Sequence, residues 1–464
     1  MKKIWINEIK DKIGETIELY GWVNVRRDHG KIIFIDLRDR SGVVQLVFTL
    51  QKDKLYKMAE TLRPEWVLFV KGEVVERPKG MQNPEIETGK VEVKVQELEI
   101  INRAETPPFP LDTAGYEIDE ELRLKYRYLD LRRERLKNNL VLRHKVVKFI
   151  RDYLSERDFI EIETPILTKS TPEGARDYVV PSRIHQGKFY ALPQSPQQYK
   201  QLLMVSGMEK YFQIPRCFRD EDTRGDRQPE FTQLDLEMSF VDEDDILSFI
   251  EALYKEMISK ITPNKKISQI PFPRLTYKEV MEKYGTDKPD LRKDKNDSSE
   301  LAFAFIVDFP VFEWKEKEKR WDAVHHPFTA PKVKDPAELK KDPGSAIAKQ
   351  YDFVLNGYEI GGGSIRIHNP KMLEAVFEIM GYTKEEARNK FRHLFEAFEY
   401  GVPPHGGIAP GIDRFVMILA NEPNIREVIA FPKTGDARDP MMDSPSEIDK
   451  KQLKELHLKI EKEK

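Results

Sequence analysis

The chain has 464 residues, 39% of them hydrophobic and 34% charged, which gives room for two or three domains with cores of their own. A formal net charge of −3 excludes recognition of nucleic acid through overall charge, so any such contact must use local basic patches. The single cysteine, Cys217, excludes an internal disulfide and a cysteine-ligated metal, and no run approaches the ~18 apolar residues of a membrane-spanning helix.

The first ten residues, MKKIWINEIK, carry no signal-peptide pattern, so the expected location is the cytoplasm. Apolar runs at 17–25, 32–36, 43–48, 66–76 and 91–101 read as five short strands, with a helix at 50–62. That order predicts an OB-type barrel, a fold that binds single-stranded nucleic acid with aromatic platforms and a basic rim. Arg26, Arg27, Phe34, Gln45 and Phe48 are the candidates. Phe34 lies between Ile33 and Ile35, so if those two fill the core, alternation turns it outward. Phe48 fits the core or the surface equally well on pattern alone.

The run TPPFP at 106–110 can be neither regular helix nor central strand, so a hinge is placed at 105–120, between domains 1–104 and 121–464. From 121 to 159 the spacing is helical, and 159–165 reads as a strand ended by Pro165. A turn-rich loop at 170–177 carries Glu173. Pro193 and Pro196 then fix a loop around Ser195, before a helix that starts near Gln197 and puts Gln197 and Lys200 on one face.

The segments 210–219 and 229–238 predict an antiparallel strand–loop–strand with Arg219, Arg224 and Arg227 at one end. Cys217 lies in the apolar part and reads as a small buried hydrophobe. Arg219 with Glu221, and Arg227 four residues before Phe231, offer a phosphate fork, an acceptor for an exocyclic amine and an aromatic face for a purine. Helices are expected at 242–261 and 272–284, a solvated loop at 287–299 and core strand again at 303–314. Adjacent His325 and His326 would point to opposite faces of a strand, which argues against a shared metal.

Asn356–Gly357 between apolar runs signals a two-residue hairpin that pairs Leu355 with Tyr358 and Val354 with Glu359. Asp352 then shares a face with Glu359, and two convergent carboxylates can hold Mg2+ against ATP phosphates. Strict alternation would put Arg366 on the opposite face from Glu359, so an irregularity is expected at 361–363. The stretch 401–419 is a glycine-rich strand followed by an apolar helix that Asp413 and Arg414 open, where Arg414 can meet a phosphate. The tail predicts a surface helix capped by Ser446.

Three of these stretches resemble the signature motifs of class II aminoacyl-tRNA synthetases: 121–165 the first, 218–235 the second and 401–419 the third. The amino-terminal block resembles the anticodon-binding barrel of the aspartyl, asparaginyl and lysyl branch, and LPQSPQ at 192–197 resembles the aspartyl enzymes. The resemblance implies an α+β protein, an OB barrel plus an antiparallel six- to seven-stranded sheet flanked by helices, acting as a homodimer through 121–165. It implies activation of L-aspartate with ATP and Mg2+ and transfer to tRNA(Asp). Catalysis would rest on Arg219, Glu221 and Arg414. Aspartate would be held by Glu173, Ser195, Gln197, Lys200, Arg219, Asp235, His325 and Arg366. ATP would be held by Arg219, Asp220, Glu221, Arg227, Gln228, Phe231, Glu359, Gly411, Ile412, Asp413 and Arg414, with Asp352 and Glu359 on the metal. Arg27, His29, Phe34 and Gln45 would meet the anticodon.

Bacterial relatives usually insert a domain near 288–302, for which this chain has no room. His29 and Gly80 resemble the relaxed subgroup that also charges tRNA(Asn), which implies an amidotransferase partner. The alternatives are a strictly tRNA(Asp)-specific enzyme, a lysyl or asparaginyl ligase, an aspartate-amidating enzyme, which would lack the barrel, and a non-catalytic tRNA-binding paralogue, which would have lost the arginine and carboxylate set.

Overall fold

The computed structural model describes residues 4–170 and 174–461, and the chain divides into two compact units, 1–113 and 114–464. In the first, β1 (Thr16–Asp28), β2 (Ile32–Arg38), β3 (Val43–Thr49), β4 (Val67–Glu76) and β5 (Val91–Asn102) close into a barrel in the order β1-β2-β3-β5-β4. Helix α1 (Asp53–Thr61) lies between the third and fourth strands. Alternation makes the barrel: in β2, Ile33, Ile35 and Leu37 are buried and Ile32, Phe34, Asp36 and Arg38 are half-buried on the outer side. Phe48 is core, at 2% exposure, which settles its open position.

The second unit is built on an eight-stranded sheet. Along the chain its strands are β6 (Ile160–Glu161), β7 (Lys210–Gln213), β10 (Asp235–Ser239), β11 (Arg274–Thr276), β12 (Phe303–Val307), β13 (Gln350–Leu355), β14 (Tyr358–Ile365) and β15 (His405–Pro410). Between β7 and β10 the ribbon strands β8 (Arg216–Phe218) and β9 (Glu230–Thr232) pair with each other. The sheet order is β11-β12-β13-β14-β15-β10-β7-β6. Six central strands run antiparallel, and each edge strand joins parallel, β6 on β7 and β11 on β12. The sheet is therefore larger than expected and mixed, because both edge strands reach their neighbours by crossovers rather than hairpins. Helices α2 (Glu134–Ser155) and α4 (Glu243–Ile261) pack on it through Ile150, Leu154, Ile250 and Leu253. Helix α3 (Gln197–Val205) precedes β7, and α5 (Ile412–Ala420) follows β15.

Several boundaries differ from the sequence reading. The helix expected over 121–159 is broken into Glu120–Lys125, Arg127–Asp130 and α2. Arg123, Arg127 and Arg133 all turn inward onto Asp130, which is fully buried. A buried carboxylate needs such partners, and that demand overrides helical spacing. The strand expected at 159–165 holds only two paired residues, and 272–284 opens with the three-residue strand β11 before a helix (Tyr277–Tyr284). The carboxy-terminal helix is Lys450–Glu455, capped by Asp449 rather than Ser446.

The Asn356–Gly357 turn has positive φ at both residues, +49° and +85°, as a type I′ hairpin requires. Leu355 pairs with Tyr358 and Val354 with Glu359, but Phe353 pairs with Gly361, leaving Ile360 as an extra residue. The irregularity falls at Ile360, just before the glycine run. The glycines themselves stay in register, because a Cβ on Gly363 would stand 2.3 Å from Gly407 O.

Candidate active site

The β8–β9 ribbon puts Cys217 opposite Phe231, and the Cys217 thiol is buried. Arg219, just beyond β8, holds its guanidinium 5.0 Å from the centre of the Phe231 ring. Its Nε is buried and finds no hydrogen-bond partner among the described residues. Arg227 stands 3.8 Å from Glu221 across the loop. Gln228 is tied to the backbone of Lys433, donating to its carbonyl at 3.1 Å and accepting its N–H at 2.7 Å.

Below this ribbon lies a buried charged floor. Lys200, on α3, donates to Asp235 Oδ1 at 2.7 Å and stands 3.4 Å from Glu237. Arg366 forks onto Glu237 at 2.9 and 3.1 Å and also donates to Ser364 at 2.6 Å. Asp235 and Glu237, two apart on β10, share a face, and both are fully buried. Burial opposes the Glu237 charge, but Arg366 and Lys200 outweigh it and hold the carboxyl below its usual value. Glu237 was missing from the sequence candidates. Its signal was a second carboxylate two residues after Asp235 in an otherwise apolar strand.

His325 and His326 do not lie on a strand, so the opposite-face expectation fails. Their rings are 4.4 Å apart, and both line the cavity. Arg366 Nη1 donates to His326 Nε2 at 2.9 Å, since a guanidinium has no acceptor. His326 is thus a second residue that sequence reasoning left out. Burial, then the cations Arg366, Lys200 and Arg219, push His325 down to about 3.

The two hairpin carboxylates converge. A methyl group on Gly362 would lie 3.2 Å from Asp352 Oδ1 and 3.7 Å from Glu359 Oε1. Burial, and then Glu359, lift the Asp352 carboxyl well above its usual value. Paired hard oxygen donors whose charge is disfavoured in the absence of a cation suit Mg2+. Arg414 donates to Glu359 O at 2.7 Å and Asp226 O at 3.1 Å, and pairs with the Asp226 carboxylate at 3.1 Å.

These groups enclose one cavity of about 360 Å³. Ser195, Gln197, Lys200, Asp235, His325, Arg366, Arg219, Glu221, Arg227, Gln228, Phe231, Glu359, Gly411, Asp413 and Arg414 all line it. Three of the described sequence candidates are outside the wall. Asp220 is half-exposed and faces Arg176 at 3.7 Å, and Ile412 packs into the core at 2% exposure. Successive helix residues turn by about 100°, so Ile412 faces the core while Asp413 and Arg414 reach the cavity. Asp352 stands behind Gly362, and Glu173 falls outside the described residues.

On the barrel, Arg27, Phe34 and Gln45 share the outer face of β1–β3. Arg27 forks onto Asp36 at 2.6 and 2.7 Å, and Gln45 donates to Glu92 at 2.9 Å. His29 stands edge-on to Phe34, with centroids 5.6 Å apart. Arg26 is directed instead to the end of α1, at Leu62 O and 3.2 Å. Gly80, at φ +87°, sits in an exposed turn.

Residues 119–435 match the family described as tRNA synthetases class II (D, K and N), and 17–101 the OB-fold nucleic acid binding domain. The aspartate–tRNA(Asp/Asn) ligase of Rubrobacter xylanophilus is 45% identical over 571 residues, covering 97% of this chain and 95% of that protein. That of Dehalococcoides mccartyi is 44% identical, covering 98% of each. The alignments are longer than this chain, so those proteins carry segments that it lacks. The asparaginyl-tRNA synthetase of Pyrococcus horikoshii, complexed with asparaginyl-adenylate, shares the fold at a TM-score of 0.74 and 24% identity, covering 94% of this chain and 98% of that one. An OB barrel followed by this sheet, ribbon and charged cavity, matched over two thirds of its length and more, makes the chain a member of the class II tRNA synthetases of the D, K and N group.

Proposed function

We infer that the chain is an aspartate–tRNA ligase that charges both tRNA(Asp) and tRNA(Asn). The observation that carries the amino-acid assignment is the buried floor, where Lys200 and Arg366 converge beside Asp235 and Glu237. A substrate lysine would be repelled by the two cations, and asparagine would offer them no charge. Aspartate supplies a carboxylate for Lys200 and Arg366 and an ammonium for Asp235. Two close relatives are named as ligases for both tRNAs, and this supports the relaxed reading. His29 supports it too: a neutral imidazole donates or accepts according to its tautomer, so it can meet cytosine or uracil at the third anticodon base.

In the first step the α-carboxylate of aspartate attacks the α-phosphorus of ATP, and pyrophosphate leaves. The terminal ribose hydroxyl of tRNA then takes the aspartyl group, and AMP leaves. No protein nucleophile is needed, and positioning with charge neutralisation carries the rate. Arg219 meets the α-phosphate and the attacking carboxylate, with Phe231 against the purine and Glu221 accepting from its amine. Arg227 and Arg414 take the outer phosphates. Asp352 and Glu359 would hold Mg2+, which when bound neutralises phosphate charge.

Aspartate, asparagine and lysine, each offered with purified tRNA(Asp) and tRNA(Asn) transcripts, test the proposal. Aspartylation of both transcripts is expected. Charging of another amino acid overturns the substrate assignment, and a preference for tRNA(Asp) of about a hundredfold, ~2.7 kcal/mol, overturns the relaxed reading alone.

A further inference from the structure

Asp413 is the second residue of α5, immediately before Arg414, and is only 3% exposed. Both its oxygens are engaged within the protein. Oδ2 accepts the backbone N–H of Thr232 at 2.8 Å, and Oδ1 accepts from Arg143 Nη1. Thr232 ends β9, a strand that among the described residues pairs along one edge only, with β8. On its other edge the Asp413 carboxylate stands where a neighbouring strand's carbonyl would be. Two residues on, the Leu234 N–H reaches Pro410 O at 2.8 Å, so the chain passes from a side-chain acceptor to a backbone one. Asp413 therefore fixes the edge of the ribbon that carries Phe231, and Phe231 lies against Arg219. Arg143 comes from α2, far away in sequence, and Nη1 also stands 3.5 Å from Val428 O.

We propose that Arg143 is a positioning residue for the nucleotide site. It pairs with the buried Asp413 carboxylate and holds it turned towards Thr232. In that way it sets where Phe231 and Arg219, on the ribbon, stand relative to Arg414, on α5. The inference rests on the reading of this cavity as an ATP site. Removing the Arg143 charge leaves a buried carboxylate uncompensated, one residue from Arg414. That carboxylate then draws the Arg414 guanidinium from Glu359 O and Asp226, and the Thr232 contact loosens. The floor that holds the aspartate side chain, Lys200 with Arg366, shares none of these contacts, so the loss falls mainly on ATP and reaches aspartate only through its α-carboxylate at Arg219.

Aspartate-dependent ATP–pyrophosphate exchange by the full-length protein tests this, with Arg143→Met, Arg143→Lys and the double variant Arg143→Met with Asp413→Asn, each checked by thermal melting. The ATP KM should rise at least about tenfold in Arg143→Met while the aspartate KM stays within about threefold. Arg143→Lys should recover part of the loss. The double variant should exceed Arg143→Met, because asparagine still accepts from Thr232 and no charge is left unpaired. An ATP KM within about twofold of wild type overturns the proposal. So does an equal rise in both KM values, or a double variant no better than the single one. If Arg143→Met does not fold, Arg143→Lys carries the same comparison of the two KM values. A wild-type protein without aspartate-dependent exchange would instead overturn the functional reading.

Discussion

At the scale of single residues, the site balances charges that burial disfavours. Asp352 shows the cost most clearly. Its folded value is raised by burial and by Glu359, so its favourable contribution exists below its unfolded value and is lost as pH rises through the folded one. At neutral pH, without a cation, the group is a net cost. Asp352→Asn should therefore melt higher than wild type in Mg2+-free buffer, by ~2–4 °C for each kcal/mol relieved, while losing Mg2+-dependent activity. A lower melting temperature would contradict the assignment. His325 has the opposite sign: a base pushed down to about 3 from 6.5 stays neutral when folded, while the unfolded chain takes up a proton below 6.5. Its contribution is full above pH 6.5 and is lost as pH falls towards 3. His325→Asn should flatten the acid limb of stability in that window, measured by urea midpoints at each pH. An unchanged slope would reject the neutral imidazole as its source.

At the scale of elements, the site depends on two strands that approach closer than side chains permit. A Cβ on Gly407 of β15 would meet Leu236 O at 2.0 Å and Glu237 Oε2 at 2.1 Å. Neither can withdraw, since the first is ladder backbone and the second is held by Arg366. Gly407→Ala should cost ~1–3 kcal/mol or more, read as a lower urea midpoint at unchanged m-value. Gly435→Ala is the control: nothing lies within 4 Å of its added carbon, and its stability should stay near wild type. Equal losses in both would show that the close approach is not the cause. The bulge at Ile360 belongs to the same scale. By shifting register once, it brings Glu359 and Arg366 into one cavity, which strict alternation forbids.

At the scale of the whole molecule, the catalytic unit leaves several large apolar side chains exposed. Tyr128, Val141, Ile160, Ile166, Leu167, Val179 and Ile184 are all solvent-exposed, and Ile160 lies on β6, an edge strand of the sheet. Three of them, Tyr128, Val141 and Ile160, fall within 121–165, and edge strands invite pairing. This supports the proposed two-fold homodimer through 121–165. Light scattering at micromolar concentration should give twice the chain mass, and Ile160→Asp should shift the protein to monomer. A wild-type monomer under those conditions would reject it.

Local patterns needed no fold to be read. Alternation in β2 set Phe34 against Ile33 and Ile35, the Asn356–Gly357 pair named its hairpin, and Pro193 with Pro196 fixed a loop that α3 follows from Gln197. The spacing of Arg219, Glu221, Arg227 and Phe231 carried the chemistry, because a short ribbon keeps sequence neighbours together in space. What the sequence could not supply was every contact made by burial across the chain. Glu237 joins Lys200 to Arg366 from three distant segments, Asp130 breaks a helix by gathering three arginines, and Arg143 reaches Asp413 from a separate helix. Such pairings follow from the desolvation of charge, which depends on what surrounds a group in three dimensions and leaves no period or spacing along the chain.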